Sequence, residues 1–256
     1  MNRRYRKTII AANWKMNKLP GESKDFILQL KERGAEAKWC DIVLCVPFTH
    51  LSVAVKAARG TRIAIGAQNC HFADKGAYTG EVACRMLSDM GVKYVIVGHS
   101  ERRQYFGETD LSVNKKVKSA LEEGLRPIVC VGESLDIREN GATLDFVRLQ
   151  IKTALRDVTV QQLRKIVIAY EPVWAIGTGK VAAPEQADEV GEAIRETLRS
   201  IYGARAARGV SILYGGSLSE SNASSMFAMP DVDGGLVGGA SLEVGSLVSI
   251  IEAANQ

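Results

Sequence analysis

Residues 91–101 read Gly91-Val-Lys-Tyr-Val-Ile-Val-Gly-His-Ser-Glu101, and this stretch contains the pattern that predicts the fold. A glycine of the kind that ends helices leads into the apolar run 94–97, and polar side chains follow that run at once. The run is rich in valine and lacks the polar alternation of a strand with one solvated face. It is therefore typical of a strand that is buried on both faces of a parallel sheet.

Comparable apolar runs recur along the whole chain. Stretches with helical period lie between them. In residues 185–200, for example, Val190, Ile194 and Leu198 repeat every four positions behind Pro184, which suits the first turn of a helix. The pattern predicts eight strands, at residues 8–12, 42–46, 63–67, 94–97, 128–131, 166–169, 211–214 and 236–238. Glycines that follow helical stretches are predicted to be left-handed C-caps, namely Gly34, Gly60, Gly91, Gly124 and Gly203.

Eight strand–helix units share 256 residues, so each unit has about 32 residues, close to the size of a single βα unit. Repeated strand–helix–strand order implies right-handed crossovers and a parallel sheet. We therefore expect an α/β protein with a closed (β/α)8 barrel rather than an open doubly wound sheet. No linker or low-complexity segment divides the chain, which predicts one domain over residues 1–256.

Composition excludes several other classes of protein. Hydrophobic residues make up 46% of the chain, which is enough for a large core, and no apolar run approaches the roughly 20 residues of a membrane span. The net charge of +4 is too small and too scattered to indicate nucleic-acid binding. The basic residues Arg3, Arg4, Arg6 and Lys7 are interpreted as a solvated tail, because the apolar run after them is too short for a signal peptide.

The five cysteines are odd in number and irregular in spacing, so we expect neither a disulfide framework nor a zinc site. Cys45 and Cys130 lie inside apolar runs and are predicted to be buried. Free thiols indicate a cytoplasmic location. The three histidines show no ligand spacing, and residues 177–182 match a dinucleotide motif only in the wrong context, five residues after their strand. We predict no metal and no cofactor.

Chemically useful residues follow five of the predicted strands. In a parallel barrel these positions share the C-terminal rim, where active sites are built. Each residue alone has a structural explanation, such as a helix cap for His99 or an ion pair for Glu171; the convergence of all of them favours a site. The residues are Asn13, Lys15, His99, Ser100, Glu101, Glu171, Gly215, Gly216, Ser217, Gly238 and Gly239.

Their chemistry suggests a specific reaction class. Two glycine-rich turns after the seventh and eighth strands offer backbone N–H groups to a phosphate dianion. The other candidate residues include a carboxylate, a histidine and a lysine. Such a set can remove a proton from the carbon beside a carbonyl and stabilise the resulting enediolate. Residues 171–180 combine a stiff Pro172, an apolar centre and two glycines, which is compatible with a hinged lid as well as with a fixed loop.

The sequence resembles the triosephosphate isomerase family, after which the TIM barrel is named, along nearly its whole length. The most specific block runs from Ala169 to Lys180. The matching blocks, in order, are Asn13-Trp-Lys-Met-Asn17, Gly76-Ala-Tyr-Thr-Gly-Glu81, Val97-Gly-His-Ser-Glu-Arg-Arg103, Val131-Gly-Glu133, Ala169-Tyr-Glu-Pro-Val-Trp-Ala-Ile-Gly-Thr-Gly-Lys180, Tyr214-Gly-Gly-Ser217 and Gly238-Gly239.

The resemblance implies cofactor-free interconversion of dihydroxyacetone phosphate and glyceraldehyde 3-phosphate in glycolysis and gluconeogenesis. It implies that Glu171 is the base, that His99 is a neutral electrophile, and that Asn13 and Lys15 bind substrate, which are the roles known for the family. By the same resemblance, Gly177, Ser217, Gly238 and Gly239 bind phosphate. Glu101 and Cys130 would support the site, although buried packing explains Cys130 equally well.

The resemblance also implies a homodimer, in which the loop that carries Thr79 enters a pocket beside the partner's active site.

Two alternative functions remain open. One is another phosphate-binding barrel, such as an aldolase or an epimerase; a Schiff-base aldolase needs a lysine inside a late strand, and Lys165 stands at the wrong end. The other is a barrel that has lost catalysis, which the presence of Lys15, His99 and Glu171 disfavours.

Overall fold

The computed structural model describes residues 4–33, 37–176 and 180–256. Eight parallel strands form a closed barrel in chain order, and β8 pairs with β1 through registers such as Ile9 with Gly234. The expected closed (β/α)8 barrel is confirmed. The strands are β1 Thr8–Asn13, β2 Cys40–Val46, β3 Ile63–Ala67, β4 Tyr94–Val97, β5 Arg126–Val131, β6 Val167–Tyr170, β7 Ser211–Tyr214 and β8 Gly234–Val237.

Helices connect the strands around the outside of the barrel. Short 3₁₀ helices occur at Phe48–His50, Val173–Ala175 and Gly239–Leu242. The α-helices of the described residues are α1 Pro20–Arg33, α2 Leu51–Ala57, α3 Cys84–Met90, α4 Ser100–Phe106, α5 Asp110–Glu122, α6 Leu135–Glu139, α7 Thr143–Ala154, α8 Val160–Leu163, α9 Pro184–Tyr202, α10 Ala204–Ala207, α11 Ala223–Phe227 and α12 Val244–Ala253.

The strands are buried on both faces, which explains why their sequences do not alternate between apolar and polar residues. In β1, Ile9 and Ala11 belong to the cluster that fills the barrel interior. Ile10 and Ala12 belong instead to the larger cluster between the barrel and the helices. This two-residue period decides which side chains at the end of each strand point over the barrel mouth.

The long helix α9 follows the sequence pattern closely. Pro184 lies in its first turn, as predicted, where a missing N–H costs nothing. Val190, Ile194 and Leu198 are fully buried on the face that packs on the core. The apolar spacing thus fixes which side of α9 contacts the barrel.

The predicted C-cap glycines have mixed outcomes. Gly91 is a left-handed C-cap of α3, and Gly60 and Gly124 also take positive φ just after their helices. The same expectation for Gly203 is wrong. This residue has φ 83 but ψ 159, because the chain extends there before it starts α10 at once. Gly34 lies outside the described residues.

The interpretation of the N-terminal basic residues as a solvated tail is wrong for Arg6. Its guanidinium is buried and donates from Nε to Asp233 Oδ1 at 2.6 Å. The five cysteines are buried thiols, and the predicted burial of Cys45 and Cys130 is confirmed. Within the described parts of the chain, no helix has the length and apolar character needed to cross a bilayer.

Candidate active site

The C-terminal ends of five strands surround one cavity of about 300 Å³. The two-residue period brings Asn13, the last residue of β1, and Glu171, directly after β6, to inward-facing positions. Gly177, predicted to bind phosphate, lies in the segment 177–179 outside the described residues. The cavity is lined by Asn13, Lys15, His99, Glu171, Ile176, Gly215, Gly216, Ser217, Leu218, Leu236, Gly238 and Gly239.

Glu171 is buried and hydrogen-bonded at both carboxylate oxygens. Oε2 accepts from the Ser100 backbone N at 2.9 Å, and Oε1 lies 2.9 Å from His99 Nε2. Burial raises the pKa of this carboxyl, but the His99 ring, the Ser100 amide and the Lys15 ammonium outweigh burial and lower the pKa below its ordinary value. Glu171 is therefore ionised at neutral pH and ready to accept a proton.

His99 caps the N-terminus of α4 with its ring. Nδ1 accepts from the backbone N of Glu101 at 3.2 Å. Burial lowers the pKa of the ring, while the adjacent Glu171 carboxylate outweighs burial and raises it. Because a nitrogen that accepts a hydrogen bond carries no proton, we assign the proton to Nε2, which donates to Glu171. A neutral ring satisfies both contacts, whereas a proton on Nδ1 would break the cap.

Lys15 takes an unusual backbone conformation, with φ 53. Its N–H donates to Asn13 Oδ1 at 3.1 Å, and its carbonyl accepts from Gln68 Nε2 at 2.8 Å. The ammonium group donates to Glu101 Oε1 at 2.7 Å. The aliphatic end of the side chain lies near Gly238, where an added Cβ would be 3.5 Å from Lys15 Cε. The positive charge is thus held between α4 and the turn after β8.

The two glycine-rich turns follow the neighbouring strands β7 and β8 and line the same cavity. Ser217 lines the cavity and donates from Oγ to the Ala175 carbonyl at 3.0 Å. Gly238 precedes the 3₁₀ helix Gly239–Leu242. A Cβ on Gly215 would approach Glu171 Cγ to 2.9 Å, so the glycine allows the turn to pass close to the carboxylate.

The remaining predicted residues lie at different distances from the cavity. Glu101 is bound to Lys15 at the rim. Cys130 points into the barrel below the cavity and is fully buried. Burial raises the pKa of its thiol well above the ordinary value, and the Glu171 carboxylate raises it further, so the thiol is not ionised. Thr79 is exposed on a separate loop and does not line the cavity of its own chain.

The described part of the segment 171–180 is anchored at its start. Val173–Ala175 forms a 3₁₀ turn, and Trp174 Nε1 donates to the buried Glu133 at 2.8 Å. Tyr170 and Arg138 donate to the same Glu133 oxygen. The predicted glycine hinge falls on residues 177–179, outside the described residues.

Several residues that hold the site are not identified by the sequence patterns. Gln68 bridges the carbonyls of Lys15 and Cys45. The buried Glu108 accepts from the Gly98 N–H at 3.0 Å, and Arg103 donates to the Gly98 carbonyl at 2.7 Å, so both peptide groups before His99 are fixed. Gln68 directly follows β3 and Arg103 ends the block Val97–Arg103, but no pattern in the sequence shows which backbone groups they or Glu108 bind, so only the structure reveals these contacts.

Within the described ranges, no group of three or more His, Cys, Asp or Glu side chains is placed to hold a metal ion. The cavity instead combines a carboxylate, an imidazole, an ammonium group and turns rich in backbone N–H. Such a set can bind a small anion and move a proton beside it.

Comparison with known proteins agrees with this arrangement. The sequence model of the family described as triosephosphate isomerase matches residues 8–254. The chain is 55% identical over 239 residues to the triosephosphate isomerase of Acetivibrio thermocellus, covering 93% of this chain and 95% of that one. It is 50% identical to the triosephosphate isomerase of Carboxydothermus hydrogenoformans, covering 96% and 98%. It is 52% identical to the one from Solibacter usitatus, covering 96% and 99%. The chain belongs to the triosephosphate isomerase family, a family of isomerase enzymes.

Proposed function

We propose that this chain interconverts dihydroxyacetone phosphate and D-glyceraldehyde 3-phosphate, as an isomerase of glycolysis and gluconeogenesis. The observation that carries the proposal is one cavity lined by Glu171, His99, Lys15 and two glycine-rich turns. An enediolate reaction on a phosphorylated triose needs a carboxylate base, electrophilic groups for the carbonyl oxygen and a binding site for the phosphate.

Binding of the substrate phosphate falls to the turns after β7 and β8. Backbone N–H groups at Ser217, Gly238 and Gly239 act as donors that need no counter-charge and little reorganisation. Among the described lining residues, Lys15 supplies the fixed positive charge. Its present partner, Glu101, is half-exposed, so substrate can displace that ion pair at modest cost.

In the proton transfer, Glu171 leaves Ser100 and His99 and takes a proton from the carbon beside the carbonyl. The neutral His99 polarises the carbonyl oxygen through Nε2–H, and Lys15 stabilises the developing negative charge. Glu171 then returns the proton to the neighbouring carbon, while the two substrate oxygens exchange one proton through His99. The substrate is isomerised with no net gain or loss of protons or electrons, so the reaction needs no cofactor.

The two alternative functions use the same fold. A Schiff-base aldolase would need an amine in the cavity besides Lys15, but Lys165 is exposed just before β6, on the opposite rim. A catalytically inactive barrel would have lost the residues that position the base. The hydrogen bonds that Glu171 makes with Ser100 and His99, and the cap at His99, are present instead.

A coupled assay tests the proposal. Glyceraldehyde 3-phosphate is supplied with glycerol-3-phosphate dehydrogenase and NADH, and NADH consumption reports the dihydroxyacetone phosphate formed. We expect turnover by the wild type and almost none by Glu171→Gln, which keeps the shape of the side chain but cannot accept a proton. Absence of turnover at micromolar wild-type enzyme would reject the isomerase and leave the alternative functions.

We also propose that the chain forms a homodimer through the face beside the cavity. A second cavity of about 300 Å³ adjoins Lys15 and is lined by exposed apolar side chains, among them Met16, Phe48 and Phe106. Tyr78, next to Thr79, is 47% exposed on the protruding loop. Exposed apolar side chains on this face favour association. Light scattering should give twice the chain mass for the wild type and the chain mass for Tyr78→Asp; a monomeric wild type would reject the dimer.

The remaining expectations concern the organisation and surroundings of the enzyme. We propose that residues 1–256 form one domain, because α12 returns to pack on α1 and on the 3₁₀ helix Gly239–Leu242. We propose a cytoplasmic location, which five buried cysteine thiols support. We propose that neither a membrane nor nucleic acid is a partner.

A further inference from the structure

Positive side chains surround the rim opposite the active site, where the strands begin. Of the eight strands, seven have a lysine or arginine at their first residue or within three residues before it; β8 is preceded by Asp233 instead. The sequence scatters these residues along most of the chain, but the parallel barrel brings all strand starts to one face. They are Lys7, Lys38, Arg62, Lys93, Arg126, Lys165 and Arg208.

Part of this ring encloses a cavity of about 360 Å³. Its lining, among the described residues, includes Tyr5 and Ser211 but no carboxylate. The charged groups in this lining are five cations, Arg4, Arg6, Lys7, Arg126 and Arg164. Several cations around one cavity repel each other, so an anion bound among them would be strongly favoured.

Some of the groups around the cavity contact neighbouring residues. Arg6 is fixed by Asp233 and by the carbonyl of Pro230. The Tyr5 ring lies between two guanidinium groups, 5.3 Å from that of Arg4 and 4.1 Å from that of Arg208. The buried Arg6 therefore gives the cavity one fixed cation, whereas Arg4 and Arg164 are exposed side chains beside it.

The carboxylates nearby neutralise only part of this charge. Asp41 accepts from Lys7 at 3.0 Å and lies 3.6 Å from Arg126, so one negative charge serves two cations. Asp231 and Asp233 together pair with Arg6 and Arg195, so the charge of Arg6 is balanced. Arg4 and Arg164 have no carboxylate partner among the described residues. The excess of positive charge is therefore concentrated where the cavity opens.

A neighbouring cavity of about 230 Å³ shares Arg6 and Lys7 with the first and adds the cations Lys38 and Arg62 and the carboxylate Asp41. The two cavities together form an elongated cationic site rather than a pocket for one small anion. Arginine guanidinium groups pair with phosphate oxygens through two parallel hydrogen bonds, which suits a chain of linked phosphates.

We propose that the rim at the strand starts binds a small polyanion that carries a chain of linked phosphates. The triphosphate group of a nucleotide and inorganic tripolyphosphate share this chemistry. The site lies at the opposite end of the barrel from Lys15 and Glu171, so it is separate from the substrate cavity and goes beyond the proposed isomerase activity.

Calorimetric titration of inorganic tripolyphosphate tests the proposal. The titration is made in the Lys15→Ala background, which weakens anion binding at the other rim. One bound tripolyphosphate per chain is expected, with affinity that falls as salt rises. Replacing Arg4 and Arg164 together by glutamine should weaken binding at least tenfold, because these exposed side chains supply the uncompensated charge. The matched control replaces Lys24 and Arg148, two cations on α1 and α7, by glutamine and should change the affinity less than twofold.

The outcomes separate the explanations. Equal binding of tripolyphosphate and a nucleoside triphosphate supports recognition of the phosphate chain alone, whereas tighter binding of the nucleotide supports the same site with the nucleotide as its natural source. No binding, or an equal loss in the control variant, would overturn the proposal. Tighter binding of a single-stranded oligonucleotide than of tripolyphosphate would also overturn it, in favour of a nucleic-acid surface. The isomerase assay is independent of all these results.

Discussion

At the scale of single residues, Lys15 shows how the chain positions a charge. Its φ of 53 lies in the left-handed region, which costs a residue with a side chain about 1–2 kcal/mol. Asn13 and Gln68 hold this conformation through hydrogen bonds to the N–H and the carbonyl of Lys15. The strained backbone of Lys15 lies at the cavity and directs the ammonium group into it rather than toward solvent.

Replacing Lys15 by alanine should abolish most of the affinity for a phosphate dianion. The cavity lining then keeps only neutral donors, and the loss of a half-buried charge partner costs about 2–5 kcal/mol. We expect phosphoglycolate binding, measured by calorimetry, to weaken about a hundredfold or more. Unchanged affinity would show that the turns alone bind the phosphate.

The residue scale also separates what the sequence can predict from what it cannot. The convergence of Asn13, His99 and Glu171 is predictable, because each closely follows an apolar run and parallel strands end at one rim. Gln68 binds the carbonyls of Lys15 and Cys45, and Glu108 binds the N–H of Gly98. Lys15 and Gly98 are 53 and 10 residues away from these side chains, and no periodicity or motif marks such contacts.

At the scale of elements, the turn from β4 to α4 positions His99. Gly98 takes φ 74, and a Cβ there would lie 3.0 Å from the Cys130 carbonyl and from Val113. Glu108 and Arg103 bind the two peptide groups of Gly98, so the turn has one conformation. Strand and helix positions are predictable from apolar runs, whereas this rigid turn depends on residues from α4 and the loop after it.

Gly98→Ala should therefore destabilise the protein and impair catalysis together. Positive φ and overpacking each contribute about 1–3 kcal/mol, and a shifted His99 lowers kcat. Gly60→Ala is a matched control, because Gly60 has φ 73 but nothing within 4 Å of the added Cβ. For Gly60→Ala, urea unfolding should show a free energy of unfolding lower by about 1 kcal/mol. The coupled assay should show an unchanged kcat. Equal effects of the two substitutions would refute the role of the crowded turn.

At the scale of the whole molecule, a buried ion network joins the first and last parts of the barrel. Asp233, which precedes β8, accepts from Arg6 before β1 and from Arg195 on α9. It also accepts from the backbone N of Ile212 in β7 at 3.0 Å. This network closes the barrel at the face where the strands begin. The number of strands predicts a barrel, but no sequence pattern indicates this network.

Arg195→Ala should destabilise the fold by about 3–5 kcal/mol, because it leaves two carboxylates, Asp231 and Asp233, sharing the single guanidinium of Arg6. Arg148→Ala is the control, since its pair with Asp145 is exposed and contributes at most about 1 kcal/mol. Urea unfolding monitored by circular dichroism measures both. A loss at Arg195 no larger than that at Arg148 would mean that the network does not hold the barrel closed.

The central claim is that Glu171, held beside His99 over this cavity, is the base of a triose phosphate isomerisation. Its most direct test is kcat of Glu171→Asp in the coupled assay, because the substitution keeps the carboxylate but withdraws it by one carbon–carbon bond. We predict that kcat falls about a hundredfold with little change in KM, since proton transfer depends steeply on position. A kcat within a factor of two of the wild type would contradict the assignment.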